Sequence, residues 1–76
     1  MSRYFFDIDD GSTIPDEIGR EIRDYRMLRR EALGVVAALM AAEAEDAKET
    51  TLILSARDET GHVSLKVRMV CQVEDL

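Results

Sequence analysis

The sequence predicts a small α+β domain: a mainly antiparallel β-β-α-β-β sheet with one helix packed on one face. Three observations lead there. Residues 32–42, Ala-Leu-Gly-Val-Val-Ala-Ala-Leu-Met-Ala-Ala, form eleven positions without a polar side chain in a chain that is 34% charged. From Thr51 to Val73 apolar residues alternate with mostly polar ones around an Asp58-Glu59-Thr60-Gly61 break. Near the N-terminus, Arg3 to Ile8 also alternates and then meets Asp9-Asp10-Gly11. The 76 residues make a single domain, 1–76.

Arg3 to Ile8 reads as a strand, with Tyr4, Phe6 and Ile8 on one face and Arg3, Phe5 and Asp7 on the other. Asp9-Asp10-Gly11 is a turn in which glycine supplies positive φ. Ser12 to Ile14 returns antiparallel as a short edge strand, because Pro15 cannot donate to a ladder. Ile18 to Ile22 adds a second short extended piece with a turn at Gly19. Asp24 suits a helix N-cap, its carboxylate accepting from the free N–H groups of the first turn.

The helix is expected from about Tyr25 to Glu45. At 100° per residue, Tyr25, Leu28, Ala32, Val35, Val36 and Leu39 fall on one stripe, flanked by Leu33, Met40 and Ala42. Glu43 falls near the centre of that stripe, so sheet contact should fade after Ala42. The last two strands form a hairpin. A four-residue loop would pair Arg57 with His62, and therefore Leu54 with Leu65 and Leu52 with Val67.

Composition narrows the function classes. A chain this short buries about 60–65% of its unfolded surface and benefits from a staple or a partner. Cys71 is the only cysteine and His62 the only histidine, so neither a disulfide nor a four-ligand zinc site is available within one chain. The start Met-Ser-Arg-Tyr-Phe-Phe-Asp lacks the apolar stretch of an export signal, and with a lone thiol the cytoplasm is the expected compartment. Eleven apolar residues fall short of the about 20 that span a bilayer, and no membrane partner is expected. The net charge of −6 opposes wholesale binding to nucleic acid, although a local basic patch survives that argument.

Three segments carry a resemblance: Arg3-Tyr4-Phe5-Phe6-Asp7 with its following Asp-Gly, Asp16-Glu17-Ile18-Gly19-Arg20-Glu21-Ile22, and Arg57-Asp58-Glu59-Thr60-Gly61-His62-Val63. Over nearly its whole length the chain resembles a family of short uncharacterised bacterial proteins, common in soil and plant-associated bacteria, that share a domain of unknown function. That family often has proline before the helix-capping Asp; Arg23 stands there in this chain. The resemblance implies a compact intracellular α+β domain and assigns no functional residue. In order of elements the chain is also similar to the antitoxin partners of small bacterial ribonuclease toxins.

Catalytic chemistry finds little support. Counting an EF-hand loop from Asp7 puts Ser12 at the sixth position and Ile18 at the twelfth, where Gly and Glu are needed. His62 and Cys71 lie nine residues apart on one strand, about 30 Å, so no Cys–His dyad forms, and Cys71 reads as a buried small hydrophobe. Gly11, Gly19, Gly34 and Gly61 are scattered and make no phosphate loop. No catalytic residue, cofactor or metal is expected.

The charges around the helix are more informative. Arg20, Arg23, Arg26, Arg29 and Arg30 face only Glu21 and Asp24 in the same stretch, while Glu43, Glu45, Asp46 and Glu49 crowd the other end. Both ends oppose the helix macrodipole. One reading makes Arg20, Arg23, Arg26 and Arg30 an anion-binding cluster for RNA or an acidic, toxin-like protein. The favoured reading is self-association as a homodimer. Gly34, Ala37, Ala38 and Ala41 share the side away from the sheet with Arg26, Arg30 and Glu45, so antiparallel helices of two copies would match basic start to acidic end.

Overall fold

The computed structural model describes all 76 residues. The elements, in chain order, are β1 (Ser2–Asp9), β2 (Thr13–Ile14), β3 (Arg20–Ile22), α1 (Tyr25–Glu43), a 3₁₀ turn (Ala44–Asp46), β4 (Glu49–Asp58) and β5 (Val63–Gln72). All strand pairings are antiparallel, in the order β2-β1-β4-β5. β3 shares the outer edge of β1 with β2: Ile8 and Asp9 pair with β2, whereas Ser2 to Tyr4 pair with β3. The expected α+β architecture is thus present, with β3 as a fifth strand.

One helix on one sheet gives a thin molecule, 48 × 24 × 16 Å. Its core is correspondingly small. Only nine side chains are buried, Phe6, Ile22, Leu28, Ala32, Val36, Met40, Leu52, Leu54 and Ala56, so most apolar surface lies at a boundary. The helix meets the sheet along the single i, i+4 row Leu28–Ala32–Val36–Met40, continued by Ala44. This corrects the expected stripe: Tyr25, Leu33 and Leu39 are exposed and Val35 is only half-buried. Successive i, i+4 positions advance about 40° around the axis, so a helix crossing the strands keeps contact by rotating its buried row. For the same reason contact persists past Ala42 to Ala44, while Glu43 points to solvent. The α-helix ends at Glu43 and tightens into the 3₁₀ turn, two residues before the expected Glu45.

The hairpin register also differs from expectation. Asp58 closes the loop, donating its N–H to His62 O (2.9 Å) while its own carbonyl accepts from Gly61 N–H (3.0 Å). Arg57 stands opposite Val63, and a bulge follows, so that Ala56 faces Leu65, Leu54 faces Val67 and Leu52 faces Met69. The loop is one residue shorter than expected and the bulge absorbs one more. The two shifts together preserve parity, which keeps Leu65, Val67, Met69 and Cys71 against the helix side. Cys71 there is half-buried rather than enclosed, because β5 is the outermost strand.

Candidate functional site

From Leu33 to Ala42 the residues of α1 that meet solvent are all apolar. Gly34, Ala37, Ala38 and Ala41 are exposed on the side away from the sheet, and Leu33 and Leu39 stand partly exposed on the two opposite flanks at 40% and 37%. Gly34 is the informative residue. It adopts ordinary helical backbone, and a Cβ built on it would meet nothing within 4 Å. A mid-helix glycine loses about 0.8–1.0 kcal/mol relative to alanine, and nothing inside this molecule requires it. Arg26 and Arg30 lie at one end of this surface and Glu45 at the other, all exposed, with about 28 Å along the axis from Arg26 to Glu45 and about 22 Å from Arg30 to Glu45.

The arginines divide into engaged and free. Arg20 donates to Glu31 at 3.0 Å and stacks over the Phe6 ring at 4.7 Å. Arg23 lies 3.6 Å from Asp24, whose carboxylate caps the helix by accepting from Met27 N–H at 2.8 Å. The Met27 N–H holds the Asp24 carboxyl below its ordinary value, against slight desolvation and with help from Arg23. Arg26, Arg29 and Arg30 make no ion pair and line, with Leu33, an open hollow of about 340 Å³. The four arginines singled out from sequence therefore do not converge; Arg26 and Arg30 stand together with Arg29 instead.

A denser polar cluster, not singled out from sequence, sits on the opposite side. Between its β2 and β3 pairings, the outer edge of β1 has no strand neighbour at Phe5 to Asp7, although β4 still pairs on the inner side, and the Phe6 N–H is left pointing at the edge. Asp16 fills the gap. One of its carboxylate oxygens accepts from Phe6 N–H (3.0 Å) and the other from Ile18 and Gly19 N–H (3.0 and 3.1 Å). Asp16 N–H in turn donates to Asp7 (2.8 Å), and Arg57 bridges Asp7 (2.7 Å) to the Asp16 carbonyl (3.0 Å) while lying 4.6 Å over the Phe5 ring. Desolvation pushes the Asp16 carboxyl up, but the three N–H donors and Arg20 outweigh it and hold it below its usual range. Every charged group here is engaged, and together the contacts clamp the 15–19 loop onto β1 and Arg57. Asp7 thus belongs to the clamp, whereas Asp9 and Asp10 cap the turn at Gly11 and Ser12, as expected of a solvated hairpin. Its residues come from the three segments that carry the family resemblance, which is the sequence signal for it.

Elsewhere, Asp58 accepts from Thr60 Oγ1, and from His62 and Thr60 N–H, which hold its carboxyl below the ordinary value against desolvation. His62 is exposed on the loop and remote from Cys71. A smaller hollow of about 240 Å³ follows the helix end, lined by Glu45, Asp46, Lys48 and Asp75 among others. No three His, Cys, Asp or Glu side chains converge as metal ligands, and no helix is long and apolar enough to cross a membrane.

A family model, Domain of unknown function (DUF6894), matches residues 3–70. The chain belongs to this family. The match runs from Arg3 in β1 to Val70 in β5, so the DUF6894 unit includes nearly all of the sheet, the helix and the loop that Asp16 holds. No curated protein and no solved structure matches the chain.

Proposed function

We propose that this chain is a non-catalytic cytoplasmic interaction module that pairs with a second copy of itself through the outer face of α1. The observation that carries the reading is Gly34, a helix-weakening residue on an exposed apolar surface with open space above it. Small side chains allow two helix backbones to approach closely. An antiparallel two-fold between Gly34 and Ala37 brings Arg26 and Arg30 of one copy to the Glu45 end of the other. Exposed ion pairs of this kind contribute about 0–1 kcal/mol each, so they set orientation while Ala37, Ala38 and Ala41 supply contact. The test is sedimentation equilibrium at about 10–100 µM, a range suited to micromolar association. Ala38→Glu should lower the measured mass with the circular dichroism spectrum intact; an unchanged mass would remove the helix from the interface.

A second reading rests on the unpaired Arg26, Arg29 and Arg30 around their hollow. In it the module grips an acidic protein or RNA, as an antitoxin-like partner would, with affinity that falls steeply with salt. Fluorescence anisotropy with a labelled single-stranded RNA and with an acidic peptide tests it. The Arg26/Arg29/Arg30→Ala triple variant should abolish binding, and equal binding by the variant would end this reading.

A further inference from the structure

The free edge of β5 is a second, independent contact surface. β5 has ten residues and pairs only with β4, so one whole side of its backbone has no strand neighbour. The donors on that side follow from the ladder. Val73 N–H donates to Lys48 O at 2.7 Å, and antiparallel pairs alternate between bonded and non-bonded. The odd-numbered residues of β5 therefore bond to β4, and Ser64, Lys66, Arg68, Val70 and Gln72 direct N–H and C=O outward. The same alternation aims Phe6 N–H out of the other side of the sheet, where Asp16 meets it. No loop or side chain does this for β5.

The core is open along the same line. β4 buries Leu52, Leu54 and Ala56 completely, whereas no residue of β5 is buried. Leu65, Val67, Met69 and Cys71 pack on the core yet remain half-exposed. One further strand would bond the outward groups and cover this apolar lip together.

We propose that the strand is β5 of a second copy, antiparallel about a two-fold at Val70. Charge selects this register. Lys66 and Arg68 lie on the solvent face, and pairing centred near Val67 would place cation against cation, which is destabilising. Centring on Val70, itself 56% exposed, sets Lys66 opposite Glu74 of the second copy and Arg68 opposite Gln72. On the helix side it sets Met69 opposite Cys71 and Val67 opposite Val73. Even residues meet even residues, so the outward N–H and C=O groups match. Two such isologous surfaces on one chain, strand edge and helix face, link copies into assemblies larger than a dimer.

The test uses the Ala38→Glu chain, whose helix face is blocked, in sedimentation equilibrium at up to about 100 µM. Its expected mass is that of two chains. Adding Val70→Pro should reduce it to one chain without unfolding, because the Val70 N–H has no partner within the molecule. Lys66→Glu in place of Val70→Pro should weaken association about ten-fold, and Lys66→Glu with Glu74→Lys should restore it. A single-chain mass for Ala38→Glu overturns the proposal, as does a two-chain mass that survives a folded Val70→Pro. Should Val70→Pro fail to fold, the charge swap decides: no restoration by Glu74→Lys overturns the Val70 register.

Discussion

Replacing Gly34 by alanine should move two observables in opposite directions. Within one molecule the new Cβ meets nothing within 4 Å and the backbone is already helical, so the substitution should stabilise the fold by about 0.5–1 kcal/mol. Total stability for a chain of this length is about 4–11 kcal/mol, which makes that gain readable as a higher urea midpoint at protein concentrations too low for association. Across a helix pair the same methyl group stands where two backbones approach, and forcing them apart weakens every neighbouring contact. Overpacking of this kind costs about 1–3 kcal/mol, or roughly a five- to hundred-fold weaker dimer. Urea titration at low concentration and sedimentation equilibrium at high concentration read the two effects separately. A variant that is more stable and associates as well as the parent would refute the close-approach role of Gly34. A variant that is less stable would refute the helix geometry itself.

Other consequences concern the clamp. Asp16→Ala strips Phe6, Ile18 and Gly19 N–H of their acceptor, and should cost about 2–4 kcal/mol in urea unfolding; a loss below about 0.5 kcal/mol, the range of ordinary surface changes, would show that water replaces the carboxylate. Gly19→Ala places a Cβ 2.8 Å from the Phe5 ring at a φ of +74°, so it should destabilise by at least about 1–2 kcal/mol, and a neutral result would contradict the loop's position. Acid should weaken the fold. Asp16, Asp24 and Asp58 all have carboxyls held below the ordinary 3.8, so the unfolded chain takes up protons first. The stability they contribute is present above that value and is lost as pH falls through the lower folded-state values. A urea midpoint that stays flat between about pH 5 and about pH 2, a range that brackets the unfolded value, would contradict this.

How much of this was legible from sequence depends on the range of the interaction. Periodicity located both long strands and the helix, because each repeats a local rule over many residues, and Asp24 capped the helix as expected. Register was not local. Asp58 could close the loop with His62 only because Asp58 also gathers Thr60 and His62 N–H groups, and the bulge beyond it has no glycine or proline to announce it. The helix stripe was displaced for a tertiary reason, the crossing of helix over strands, which rotates the buried row from Leu28 to Met40 and leaves Leu33 and Leu39 outside. The clamp was hidden most completely: Arg57 and Asp7 are 50 residues apart, and nothing in either neighbourhood names the other. Its parts were visible only as segments of family resemblance. For the arginines, sequence gave proximity but not occupancy, and the neighbours Glu31 and Asp24 take two of them.

The measurement that bears most directly on the central claim is the solution mass of the Val70→Pro chain, in which the strand edge is closed and only the helix face remains to associate. At about 100 µM it should sediment as two chains, twice the 8.6 kDa of one, and fall to one on adding Ala38→Glu. A folded Val70→Pro chain that sediments at 8.6 kDa would mean that the surface from Gly34 to Ala41 simply faces water, and the helix would then have no partner to explain.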